Sequence, residues 1–100
     1  MVSLDGVEGF DWDDGNVRKL VDRHGVTASE AEQIFFNDPL LLAEDAKHSE
    51  KERRMHALGK TSEERLLQVT FTFRADGKLI RVISARPMHR KERLLYEQET

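Results

Sequence analysis

Between Leu66 and Ala85 the chain reads as two strands joined by a tight turn, and this hairpin limits the fold more than any other stretch. Leu67, Val69, Phe71 and Phe73 alternate with polar residues, which places them on one face of a half-buried strand. Ala75-Asp-Gly-Lys78 supplies the turn, with a glycine where positive φ is tolerated. Leu79–Ala85 follows as the most hydrophobic strand. Upstream, Arg54–Leu58 reads as a further strand that stops at Gly59, with Lys60–Glu64 as the connecting loop. Leu40–Ala43 is a short apolar run that can add a fourth. A sheet of this kind needs helices to cover its apolar face.

Helix signals flank the sheet on both sides. Asp13 or Asp14 can cap a first helix in which Val17, Leu20, Val21 and His24 recur at helical spacing, and Gly25 ends it. Thr27-Ala-Ser-Glu30 is a capping box that opens a second helix through about Phe36, with Ala28, Ala31, Ile34 and Phe35 inward. Asn37-Asp-Pro39 breaks it. Ahead of both, Phe10-Asp-Trp-Asp13 alternates like a short strand or arm. Glu44–Glu52 reads as a charged loop, and Pro87 fits the first turn of a last helix that carries His89, Arg90, Lys91, Arg93 and Tyr96. The expected fold class is α+β: two N-terminal helices, a three- to four-stranded antiparallel sheet and a C-terminal helix. One hundred residues without a linker or repeat make this a single domain, residues 1–100.

Charge is divided unevenly along the chain. Residues 1–50 hold 4 Lys/Arg against 12 Asp/Glu, a balance of −8, whereas residues 51–100 hold 12 against 7, a balance of +5. The basic half coincides with the sheet, which predicts a basic binding face. No apolar run is long enough to span a membrane and the N-terminus lacks a signal-peptide pattern, so a cytoplasmic protein is expected. The absence of cysteine fits a reducing compartment and removes thiolate metal sites.

The same half carries the chemistry. The four histidines show no metal-ligand spacing, and no Gly-rich phosphate loop or nucleophile elbow occurs, so neither a metal nor another cofactor is expected. Arginine forks suit phosphate, and histidine, lysine or tyrosine can move protons when the local field tunes them. Arg54 and His56 share a strand face with Leu58, while Lys60 and Arg65 flank the loop. In the last strand, parity puts Ile80, Val82, Ser84 and Arg86 on one face and Arg81 on the other, so both arginines meet one site only if the strand bends between them. Arg86 is the expected site residue and Arg81 a bystander. His24 reads as a helix-end residue, His48 as solvated, and Tyr96 either as a core anchor or as a phenol for proton transfer. These residues support RNA cleavage and a non-catalytic basic-faced module, binding nucleic acid or an acidic protein partner, alike.

Several blocks carry a resemblance. Phe10-Asp-Trp-Asp-Asp-Gly-Asn16, Arg23-His-Gly-Val26, Asp45-Ala-Lys-His-Ser-Glu50, Ala57-Leu-Gly-Lys-Thr61, Arg81-Val-Ile-Ser-Ala-Arg86, Lys91-Glu-Arg93 and Tyr96-Glu97 are similar, in order and spacing, to BrnT-type toxins. The resemblance spans almost the whole chain. It implies a RelE-like fold and a metal-independent endoribonuclease toxin of a type II toxin–antitoxin pair. It also implies a BrnA-type ribbon-helix-helix antitoxin, with operator DNA bound only through that antitoxin. On this footing Arg54, His56, Arg86 and Tyr96 are the expected catalytic set, and Lys60, Arg65, Arg90 and Lys91 are expected to hold RNA. Met55, His56, Pro87 and His89 depart from the residues commoner in such toxins.

Overall fold

Side-chain caps fix where the chain first turns helical. Asp13 accepts a hydrogen bond from the Asn16 amide at 2.8 Å and starts α1 (Asp14–His24). Gly25 ends it with φ of 63°, its N–H reaching the carbonyls of Leu20 and Val21. The capping box is present as expected: the Glu30 amide donates to Thr27 Oγ1, the Thr27 amide donates to Glu30 Oε1, and α2 (Ala28–Gln33) follows. This helix is shorter than its apolar stripe suggests, because single-turn contacts replace it from Ile34 to Phe36.

The computed structural model describes residues 4–48 and 52–99. The sheet consists of β1 (Gly9–Phe10), β2 (Leu41–Glu44), β3 (Met55–Lys60), β4 (Leu66–Arg74) and β5 (Leu79–Pro87), and α3 (Arg90–Gln98) closes the chain. A 3-10 turn, Ala46–His48, lies within the expected charged loop, whose residues 49–51 fall outside those described.

Strand order is β1-β5-β4-β3-β2. The β2–β5 meander is antiparallel, but β1 pairs parallel to β5 through Gly9↔Leu79 and Phe10↔Ile80. The sheet is therefore mixed and five-stranded rather than purely antiparallel, and a strand precedes the two N-terminal helices. The reason is packing: β1 carries Phe10 onto Phe35, at 5.6 Å between ring centroids, and Phe35 meets Phe71 at 5.2 Å. Trp12 then donates its indole N–H to Glu32 at 2.6 Å, tying the arm to α2.

Two further boundaries differ from the sequence reading. Gly59 does not stop β3; it lies inside the strand, where a Cβ would sit 2.9 Å from the Ile34 Cβ. Glycine is needed there for close approach of the chain after α2, not for a turn. Pro87 ends β5 opposite Leu67 and lies outside α3, with His89 as the residue before the helix.

One side of the sheet is the core. Met55, Ala57, Leu67, Val69, Phe71, Ile80, Val82 and Ala85 are buried there against Leu20, Val26, Ala31 and Ile34. The other side is capped at one end only, where Tyr96 and Met88 pack on Leu58, Leu41 and Leu66.

The face assignment expected for β5 is corrected by its register. Thr70 pairs with Ser84 and Phe71 with Val82, so Ile83 is an extra residue, a bulge. Ile80 and Val82 face the core, yet so does Ala85, which turns Ser84 and Arg86 to the open face. Arg81 and Arg86 therefore share that face, opposite Thr72 and Gln68 respectively.

Candidate active site on the open sheet face

The open face is a polar grid laid out by strand alternation. Across β3, β4 and β5 one row runs His56, Thr70 and Ser84, and the next runs Leu58, Gln68 and Arg86. Arg54 stands two residues before His56 on the same side. Gln68, Thr70 and Thr72 are buried although polar, and each has a partner. A buried polar row on a central strand is costly unless it is satisfied, so it marks a position held for a purpose.

His56 is held at both ring nitrogens. Nδ1 lies 2.7 Å from Gln68 Nε2 and 2.9 Å from Thr70 Oγ1, and Nε2 lies 3.1 Å from Asp45 Oδ2. With the Gln68 amide donating to Nδ1, the proton of the neutral ring sits on Nε2 and is given to Asp45. Asp45 also meets His48 Nδ1 at 3.1 Å. Burial works against charge on Asp45, but the hydrogen bond from His48 and the attraction to His56 and His48 when they are protonated outweigh it and hold the carboxyl below its ordinary range. The imidazole remains 38% exposed toward the groove.

Arg86 lines the same groove, a cavity of about 610 Å³ between β2 and α3 whose walls include Leu40, Leu42, Leu58 and Leu95. Its guanidinium forms a two-pronged pair with Glu92, at 2.7 Å and 2.9 Å. Glu92 in addition accepts the His89 N–H at 2.8 Å. The hydrogen bond from Arg86 is the main reason that its carboxyl lies below the ordinary range, burial opposing.

The remaining expected site residues fall elsewhere. Arg54 lines a neighbouring cleft with Arg74 and Arg81. Tyr96 is 3% exposed and donates its hydroxyl to the Pro39 carbonyl at 2.6 Å, so its phenol oxygen serves the packing of α3. Burial first, then the charges of Glu64 and Asp38, push its pKa up. Arg65 turns away from the face, its Nη1 reaching both Glu30 oxygens at 3.0 Å and the Gly25 carbonyl at 3.1 Å. Lys60 pairs with Glu64 at 3.6 Å, at the end of β3. Arg90 and Lys91 are exposed on the first turn of α3. The structure thus gathers His56 and Arg86 in one groove, sets Arg54 beside it, and keeps Arg65 and Tyr96 out.

Sequence reasoning missed Asp45, Thr70 and Gln68. The polar positions between Leu67, Val69 and Phe71 were the available signal; Asp45 gave none, since its pairing with His56 spans a loop.

These features define a class: a small α+β domain whose open sheet face brings an imidazole and arginine forks together, a set suited to phosphodiesters. A family profile described as a ribonuclease toxin, BrnT, of type II toxin–antitoxin systems matches residues 12–92. The chain belongs to the BrnT family of ribonuclease toxins. Membership implies an antitoxin as partner. No curated protein matches the chain in sequence. Among the described residues no helix is long and apolar enough to cross a membrane.

Proposed function

We propose that the protein is a metal-independent endoribonuclease with a RelE-like fold that cuts RNA on the open sheet face. One observation carries this reading: His56, fixed between Asp45 and the Thr70–Gln68 pair, has Arg54 two residues before it, just ahead of β3, and Arg86 in the same groove. The reaction needs no group beyond these. The ribose 2′-hydroxyl attacks the adjacent phosphorus, the bond to the 5′-oxygen breaks, and a cyclic phosphate and a 5′-hydroxyl result. Arg86 and Arg54 bind the non-bridging oxygens and stabilise the added negative charge. His56 takes the proton of the attacking hydroxyl at Nδ1 once Gln68 and Thr70 give that nitrogen up, and Asp45 stabilises the imidazolium. The same proton then passes to the leaving 5′-oxygen to complete the 5′-hydroxyl. Tyr96 supports this by fixing α3 over the sheet. Lys60, Arg90 and Lys91 hold the RNA backbone beyond the groove, while Arg65 secures the loop that presents Lys60.

For Arg86 to reach phosphate, Glu92 must yield its fork to the substrate. A saturated Arg86 also favours a second reading, a basic-faced module that binds nucleic acid or an acidic protein without cutting. In the catalytic reading the partner is a BrnA-type ribbon-helix-helix antitoxin, and the pair represses its own operon, toxin reaching operator DNA only through it.

The test is cleavage of a labelled RNA by purified protein in EDTA. Arg86→Ala and Arg54→Ala are each expected to slow cutting by about 10²-fold. Variants that cut as fast as the wild type place the site elsewhere. Salt-sensitive binding without product favours the second reading.

A further inference from the structure

We infer that single-stranded RNA reaches the site along a second cleft, between α1 and the β5 side of the sheet, and that α1 supplies its backbone-binding cations. The inference rests on the ribonuclease reading for its ligand, not for its geometry. The cleft has a volume of about 760 Å³, and six cations line it: Arg18, Lys19 and Arg23 from α1, and Arg54, Arg74 and Arg81 from the sheet. Among the described lining residues Asp22 and Glu52 are the acids, and Asp11 and Asp13 meet Arg81 from outside the lining.

This concentration runs against the composition of the segment that provides it. Residues 1–50 contain four Lys or Arg, and three of them point into this one cleft. At 100° per residue, positions 18, 19, 22 and 23 fall within about 140° of the circumference of α1, an arc that leaves out the buried Leu20. They are exposed, so they do not serve the core. Solubility in an acidic half does not call for them either.

The sheet side of the cleft can exchange partners. Arg81 pairs with Asp13 at 2.7 Å and with Asp11 at 3.8 Å, and Arg74 with Glu52 at 3.0 Å, on carboxylates that all keep part of their surface in solvent. Such pairs contribute little, so phosphate can replace them at low cost. Arginines dominate, and their forks fit phosphate oxygens bidentately. Opposed walls of cations suit a single backbone lying between them better than a duplex, which has two. Arg54 belongs to the cleft and also precedes His56, so a strand leaving the cleft arrives at the imidazole.

The test uses a fluorescent single-stranded RNA carrying 2′-O-methyl groups, which binds but cannot be cut, followed by anisotropy across a salt series. Arg18→Glu with Arg23→Glu is compared with Lys47→Glu plus Lys78→Glu, which changes net charge equally outside the cleft. The α1 pair is expected to weaken binding at least about tenfold and to flatten the slope of log K against log salt by about 1.4, two contacts at about 0.7 each. Arg18→Ala with Arg23→Ala, which adds no acid to the helix, is expected to show the same flattening. Equal losses in the two charge-reversed pairs, or an unchanged slope in the α1 variants, would overturn the inference. So would a wild type that binds no RNA at low salt, or α1 variants that lose a polyglutamate peptide but keep RNA. A wild type that binds RNA through α1 yet never cuts it leaves this cleft standing and removes the ribonuclease reading alone.

Discussion

Tyr96→Phe separates chemistry from packing at a candidate whose sequence reading left both open. The ring is almost fully buried on Leu58 and Met88, and phenylalanine keeps that contact, so no cavity opens. What disappears is the 2.6 Å hydrogen bond to the Pro39 carbonyl. A net hydrogen bond plus some penalty for the abandoned acceptor amounts to about 1–2 kcal/mol. In a domain of this size that lowers Tm by roughly 5–12 °C. Alkali should show the same contact. Burial raises the phenol's pKa, so its contribution is full below the ordinary value near 10 and is lost as pH rises through the higher folded value. Thermal melts by circular dichroism from pH 7 to 11 measure both effects, and the phenylalanine variant should lack the alkaline loss. RNA cleavage well below Tm should stay within about twofold of wild type, since the hydroxyl faces Pro39 rather than the groove. A variant that melts like the wild type but cuts about 10²-fold slower would refute this reasoning and return Tyr96 to the reaction.

Two other perturbations read out the frame around the site. Glu92→Gln keeps the acceptor for the His89 N–H but removes the charge facing Arg86, at an expected cost of about 1 kcal/mol for a pair one quarter exposed. Because the folded carboxyl titrates below its ordinary range, the stabilisation is present above that range and lost as pH falls through the folded value. Urea midpoints from pH 7 to 3 should therefore converge for variant and wild type, and parallel curves would mean the pair contributes nothing. Gly59→Ala forces a Cβ to 2.9 Å from Ile34 Cβ and 3.3 Å from Leu40 Cδ1, for a loss of about 1–3 kcal/mol. An unchanged midpoint would show that the segment after α2 can retreat freely.

The helix starts were legible because capping is local. Asp13 with Asn16, Gly25, and Thr27 with Glu30 each declare a boundary within four residues. The meander was equally plain, since its turn and alternation are contiguous. The parallel partner of β5 was not, because two residues, Gly9 and Phe10, carry no period and pair with a strand 70 positions away. Gly59 misled for a related reason: a glycine that admits another segment looks the same in sequence as one that ends a strand. At the site, parity put Arg54 and His56 on one side, although β3 begins at Met55 and Arg54 lies just before it rather than within the strand expected over 54–58. Arg81 was misplaced by the same rule, because Val82 and Ile83 are both apolar and hide the extra residue between them. Arg65 had a visible charge but an invisible partner, Glu30, 35 positions earlier.

The irregularity at Ile83 makes β5 behave like a text with a reading frame. Ahead of it, even-numbered residues Ile80 and Val82 belong to the core; after it, the odd-numbered Ala85 does. The same sequence paired without the bulge would keep every downstream letter but exchange their meanings. Ala85 would be sent to the groove and Arg86 driven against Val69 and Leu67. The basic face of this toxin is thus written by spacing as much as by residue type. Substitutions along β5 can be absorbed one at a time, and so can a one-residue deletion at Ile83, whereas losing the bulge with every residue kept uncouples the cleft beside α1 from the groove beneath α3.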